Sequence, residues 1–189
     1  MDLPRSFDTD WTWRPDLWRA ALAQPGIAPL SPASRLSDDI EVFHDCASLE
    51  ALARQCRNRD PEDTAPYGLH IDVFGFTGSF LAVSADIPAA GSSGLSPDHL
   101  LRLETRLEME TDTRAFARLN LEAGPNMKRI VRDIDHGSDR QVVEFDLFEI
   151  GFDDRRLSKA WVEIILQAPR MTQAKLRDLT LSRRLRAAM

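Results

Sequence analysis

Lysine is nearly missing from this sequence: Lys128, Lys159 and Lys175 are the only three in 189 residues, and arginine carries almost all of the positive charge. Genome composition accounts for that as readily as function does, so it carries no functional weight here. An excess of cations is missing too. The formal charge of −6 argues against non-specific nucleic-acid binding, which needs a surplus of Lys and Arg to neutralise phosphates. Cysteine is reduced to Cys46 and Cys56, ten positions apart, which excludes a disulfide scaffold and the CxxC spacing of zinc or redox sites. The pair reads as two free thiols rather than a disulfide, in a chain expected to stay in the reducing cytoplasm. No stretch approaches the ~20 apolar residues of a spanning helix. Met1 to Asp10 carries a proline, three acidic residues and no apolar run, so neither a secretory signal nor a membrane anchor is expected.

What is present is proline, then alternation. Prolines at 4, 15, 25, 29, 32, 61 and 66 forbid long helices and favour extended pieces joined by turns. Residues 1–66 therefore read as a segment of short strands packing on a main body at 67–183, the whole being one domain. Trp11 and Trp13 share a face if extended, where they would form either a ligand platform or, with Trp18, an aromatic cap on one edge of the core. Val42 and Phe43 suggest a strand ending in His44, Asp45 and Cys46. Those residue types can serve as base, orienter and nucleophile, but on a strand His44 and Cys46 share a side that Asp45 does not. No glycine-rich elbow lies nearby to stabilise an oxyanion. Residues 48–58 fit a helix or a strand, and their neighbours favour a strand.

The strongest pattern runs from Leu101 to Glu122. Leu101, Leu103, Thr105, Leu107 and Met109 alternate with Arg102, Glu104, Arg106, Glu108 and Glu110, and Ala117, Leu119 and Leu121 with Arg118, Asn120 and Glu122. A period of two means one dry and one wet face. With Thr111 to Arg114 as a turn, the two runs read as an antiparallel hairpin. The same reading applies to Leu69, Ile71 and Val73, the turn at Gly75 to Gly78, and a returning strand from Phe80 to Ile87. Further strands are expected at 127–134, 142–149, 161–166 and 176–181, with Arg183, Arg184 and Arg186 in a solvated tail. His70 and Asp72 share a strand face, too few ligands for a metal. The Pro88 to Pro97 loop suits a lid or a binding rim.

Eight to ten short strands at roughly ten-residue spacing indicate an all-β antiparallel sandwich with at most short helical turns. A Trp-bearing strand, Lys159 to Leu166, followed by a terminal strand, Leu176 to Ser182, resembles the jelly-roll sandwiches of carbohydrate-binding modules and galactose-binding-like domains over Tyr67 to Arg183. The runs Phe43-His44-Asp45-Cys46, Phe76-Thr77-Gly78-Ser79-Phe80 and Leu176 to Arg184 resemble a small bacterial family whose domain has no known function. The jelly-roll resemblance implies a structural calcium ion at Asp178, unless that residue pairs with an arginine. It also implies a non-catalytic module holding a glycan, glycoconjugate or small polar ligand on a concave sheet face. No position matches that family's sugar-contacting aromatics, so Trp11, Trp13, Tyr67 and His44 are ligand candidates on side-chain chemistry alone. The alternatives are an assembly module that forms a homodimer or docks a protein partner, and a hydrolase using His44, Cys46 or His70.

Overall fold

The alternating positions fold into two packed antiparallel sheets. A computed structural model describes residues 8–48 and 50–187. Its elements begin with β1 (Thr9–Trp13), α1 (Asp16–Arg19), β2 (Gly26–Ile27), β3 (Ala33–Arg35), β4 (Ile40–His44) and β5 (Glu50–Arg57). Next come β6 (Tyr67–Gly75), β7 (Phe80–Asp86), α2 (Ala89–Ser92), β8 (His99–Met109) and β9 (Ala115–Ala123). The chain closes with β10 (Asn126–Ile134), β11 (Gln141–Asp146), β12 (Leu157–Gln167) and β13 (Thr172–Leu185). The larger sheet has the order β11-β8-β13-β6-β5-β2, with β1 also paired to β13; the smaller has the order β10-β9-β12-β7-β4-β3. Their inner faces make one core. Leu101, Leu103 and Leu107 of β8 and Leu179 and Leu181 of β13 belong to it with Leu119 and Leu121 of β9 and Val162, Ile164 and Leu166 of β12, each at most 3% exposed.

The strands match the periodicity except that the one expected at 142–149 ends at Asp146, with residues 147–149 in a 3-10 turn; two connections also differ. β8 pairs with β11 and β13 in the larger sheet, whereas β9 pairs with β10 and β12 in the smaller one, so the expected hairpin at 101–122 is a crossing between layers. The same holds for β6 and β7, which lie in different sheets. Sheets stack about 10 Å apart, a gap that four or five extended residues can span. Neither link has the two-residue Asn-Gly or Asp-Gly chemistry that closes a hairpin. Gly124 and Pro125, by contrast, join β9 to β10 in a true hairpin in which Ala123 faces Asn126. Gly124 has φ of 61°, a value that favours glycine.

Other expectations shift at the ends. The N-terminal residues do not sit on a finished body: β4 lies between β3 and β7, and β5 between β2 and β6. Arg183 and Arg184 belong to β13 and pair across to Leu101 and Leu100, so that part of the expected tail is strand. Residues 50–57 are strand, and Cys46 and Cys56 are unpaired.

The long strand β13 organises the larger sheet. One edge pairs along its length with β8, while the other is shared by β6 at Thr172–Leu176 and by β1 at Leu181–Arg184. A bulge falls between Leu176 and Asp178, inside the gap between those two partners. The extra residue of a bulge disrupts the ladder locally, and here three side chains accept the task of satisfying it. Trp18 Nε1 donates to the Leu176 carbonyl at 2.9 Å, Asn58 Nδ2 to the Arg177 carbonyl at 2.8 Å, and Thr105 Oγ1 to the Asp178 carbonyl at 2.7 Å. Gly68 makes room for this plug, because a Cβ there would lie 2.8 Å from Asn58 Oδ1 and 3.1 Å from the Leu176 carbonyl oxygen.

Candidate functional site

The outer face of the smaller sheet carries a cluster of polar side chains over a cavity. On β12, Ala160, Val162, Ile164 and Leu166 are buried in the core, so alternation turns Trp161, Glu163 and Ile165 outward. Strand register then sets a row across the sheet: Arg35 opposite Glu41, Glu41 opposite Ser84, Ser84 opposite Glu163, and Glu163 opposite Arg118. On one side of it runs an apolar row of Phe43, Ala82, Ile165 and Phe116, and on the other Trp161 stands between Asp86 and Asn120. Phe43, Phe80, Ser84, Trp161 and Glu163 line a cavity of about 340 Å³ over this face.

Its electrostatics are fixed by short contacts. Arg118 Nε and Asn120 Nδ2 both donate to Glu163 Oε2, at 2.6 and 2.7 Å. Oε1 keeps no protein donor among the described residues. Glu163 is 8% and Asn120 2% exposed, so this acceptor is held in place rather than waving in solvent. Arg35 pairs with Glu41 at 3.1 Å and Lys159 with Asp86 at 3.0 Å, while the Lys159 ammonium sits 5.3 Å from the Trp161 ring centroid. The face thus offers an oriented carboxylate, an amide, a serine hydroxyl and cations between aromatic rings. Such a set has the chemistry to meet both an apolar face and a hydroxyl rim.

The candidates named from sequence occupy separate places. Trp11 and Trp13 stack on each other, centroids 6.2 Å apart and planes at 20°, half-buried against the core. A Cβ at Gly91 would come within 2.3 Å of the Trp11 ring, so α2 rests directly on that ring. Tyr67 is half-buried at the start of β6, opposite Arg57. His44 is 6% exposed. Its Nδ1 accepts the Cys46 amide at 3.2 Å, and its Nε2 is buried without a partner among the described residues. Cys46 Sγ donates to the Ser48 carbonyl at 3.1 Å and accepts the Thr77 amide at 3.2 Å. Hydrogen bonding to Thr77 holds the thiol below its ordinary range. Asp45 points the other way: it accepts from the Ser79 hydroxyl and the Ser79 and Phe80 amides, bonds that hold its carboxyl below the usual carboxylate range. Asp45 thereby anchors the link into β7, and Gly78 packs so close that a Cβ would meet the Cys46 amide nitrogen at 2.9 Å. The motif runs at 43–46 and 76–80 are therefore neighbours in space, joined by a structural contact.

Asp178 accepts Arg14 Nε at 2.9 Å, Arg14 Nη2 at 2.7 Å and Thr64 Oγ1 at 2.8 Å. Calcium takes six to eight oxygen ligands, and a guanidinium occupying both carboxylate oxygens does not fit that set. Among the described residues no group of three or more His, Cys, Asp or Glu side chains is placed to hold a metal.

A family model matches residues 1–189, the whole of the chain. The chain belongs to DUF6478, a family of unknown function. No curated protein matches this DUF6478 chain. Among solved structures, the enzymatically active domain of tailspike protein 4 from bacteriophage CBA120 aligns over 76% of it with a TM-score of 0.52 and 8% identity. The aligned part is 19% of the tailspike chain, and at that identity the likeness is one of fold. Also similar are the CBM22-1 xylan-binding domain of Paenibacillus barcinonensis Xyn10C, with a TM-score of 0.46 and 7% identity over 99% of this chain and 100% of that one, and TmCBM61 solved with β-1,4-galactotriose, with a TM-score of 0.44 and 10% identity over 76% and 88%. The two packed antiparallel sheets make this chain a β-sandwich, and carbohydrate-binding modules are among its structural neighbours. No helix described is long and apolar enough to cross a membrane.

The residues Phe43, Phe80, Arg118, Asn120, Trp161 and Glu163 were not singled out by sequence reasoning. Arg118 and Asn120 sit at wet positions of a patterned strand, where polarity reads as solvation, whereas Phe43, Phe80, Trp161 and Glu163 lie in runs read only as strands. Only the register of strands far apart in sequence gathers them.

Proposed function

We propose that this DUF6478 protein is a non-catalytic module that binds a glycan or glycoconjugate on the outer face of its smaller sheet. One observation carries the reading: Trp161, Phe43 and Phe80 surround a cavity of about 340 Å³ that Glu163 and Arg118 also line, with Asn120 hydrogen-bonded to Glu163. A pyranose ring has apolar C–H faces that stack on aromatic side chains and an equatorial rim of hydroxyls that pair with carboxylates, amides and guanidinium groups. Glu163 enters as an oriented acceptor for a ligand hydroxyl through Oε1. Trp161 is the expected anchor, as a large aromatic side chain lining the cavity. The assembly reading finds less support. Met127 and Val131 on β10 and Val142 on β11 are exposed, but Val131 faces out of the smaller sheet beside Arg118 and Val142 out of the larger beside Glu104, so they do not form one patch.

The test is a glycan array on purified protein, run beside Trp161→Ala. Loss of an aromatic anchor at the centre of a site weakens binding tenfold or more, about 1.4 kcal/mol or above. The expected result is a set of glycan hits lost with Trp161→Ala and partly kept with Trp161→Phe. A blank array, or hits that Trp161→Ala leaves unchanged, contradicts the proposal.

A further inference from the structure

The outer face of the larger sheet carries a second feature that the glycan reading does not use. Register places Arg54 of β5 opposite His70 of β6, and His70 opposite Lys175 of β13, in one row. Beside it opens a cavity of about 580 Å³ lined by Arg54, Arg57, Arg59, Lys175 and Arg177 against the carboxylates Asp60, Asp63 and Glu108. In a chain of net charge −6, five cations here face four carboxylates, Asp72 included, which leaves a net positive charge of one. The carboxylates are moreover already engaged. Arg177 takes Asp63 at 2.7 Å, Asp60 at 2.9 Å and Glu108, and Asp72 is occupied by Gln173 and by Arg54 at 3.4 Å. Lys175 is left with Glu108 at 3.9 Å, and Arg57 and Arg59 make no ion pair among the described residues.

From this geometry we infer that the β5–β6–β13 face is a binding site for an oxyanion such as sulfate or phosphate, free or carried on a larger ligand. Arginines offer paired N–H donors that match oxyanion geometry, and a lysine adds a point charge. Clustered cations focus a field that raises the local concentration of anions. The charged groups facing His70 are Arg54 from β5, Asp72 on its own strand, Lys175 from β13 and Glu108 from β8. Burial, then Lys175, then Arg54 hold its imidazole below the ordinary histidine range against the opposing pull of Asp72 and Glu108, which makes His70 a built-in sensor of this field. A bound oxyanion cancels the positive field and favours the imidazolium, so His70 must take up a proton more readily when the site is filled. By linkage, the same coupling tightens anion binding as pH falls.

The experiment follows the His70 ring signals by NMR through a pH titration of the full chain at matched ionic strength. It is run in sodium chloride, in sodium sulfate and with a sulfated oligosaccharide. The inference expects the His70 midpoint to rise by about one pH unit with at least one sulfate source, while His44, His99 and His136 stay unmoved. A response to sulfate itself identifies a site for a free ion; a response to the oligosaccharide alone identifies a polymer-borne group. Lys175→Ala and Arg54→Ala, both on the surface, should raise the midpoint in chloride and remove the sulfate response. An unchanged His70 midpoint with both sources, or an equal rise at all four histidines, overturns the inference. The site lies on the opposite sheet from the proposed glycan face, so neither result bears on the other.

Discussion

Replacing Arg14 by methionine is expected to destabilise the protein by about 3–5 kcal/mol, the range for breaking a buried ion pair from one side. Arg14 and Asp178 are 7% and 8% exposed. Their contact is a two-pronged one, Nε to Oδ1 at 2.9 Å and Nη2 to Oδ2 at 2.7 Å, with Thr64 Oγ1 accepting from Arg14 and donating to Asp178. Without the guanidinium, the carboxylate keeps only the hydroxyls of Thr64 and Thr180. The cost is that of an uncompensated buried charge. Removing both partners is a different matter, because a well-packed apolar pair can replace a buried ion pair at little cost. Urea unfolding of Arg14→Met, Asp178→Leu and the double variant should therefore show the double variant more stable than Arg14→Met. Additive losses in the two single variants would mean that the pair does not act as a unit.

The second large effect is expected at Trp18. It is fully buried, and α1 packs it over the gap in β13 where its Nε1 donates to the Leu176 carbonyl at 2.9 Å. Trp18→Ala should cost about 3–5 kcal/mol through lost packing and the cavity left behind. Trp18→Phe separates the two contributions. It keeps most of the apolar volume but strands a buried carbonyl, for which about 1–3 kcal/mol is expected. Equilibrium unfolding of both variants checks this, and a Trp18→Phe protein as stable as the parent would show that the bulge carbonyl needs no donor. Trp161→Ala offers the contrast, since that ring stands on the outer face and its loss should leave stability nearly unchanged.

How far these features could be seen beforehand depends on what a strand's alternation encodes. Leu101 to Met109 shows plainly which side is dry, and the structure buries Leu101, Leu103 and Leu107 as that pattern requires. The same pattern arises whether the next strand pairs alongside or crosses to the facing layer, because in both cases the dry side meets the same core. That is why β8 and β9, and β6 and β7, read as hairpins and are in fact placed in opposite sheets. Arg183 and Arg184 looked like a tail because a run of charged residues near the end of a sequence does not reveal the backbone pairing with β1 and β8.

The surface groups were less legible still. Glu163 gains meaning only beside Arg118 and Asn120, some forty residues earlier, and Asp178 only beside Arg14, 164 positions away. Trp11 and Trp13 drew attention because they are adjacent in the chain, yet that adjacency makes them stack on one another against the core. Trp161, alone among apolar neighbours, looked like one more core residue until register turned it outward.

The most direct measurement is chemical-shift mapping of the isotope-labelled protein during titration with an oligosaccharide from the array. Perturbations should concentrate at Phe43, Ser84, Asn120, Trp161 and Glu163 and scale with occupancy. Shifts confined to the larger sheet or to Trp11 and Trp13, with the smaller sheet silent, would contradict the account.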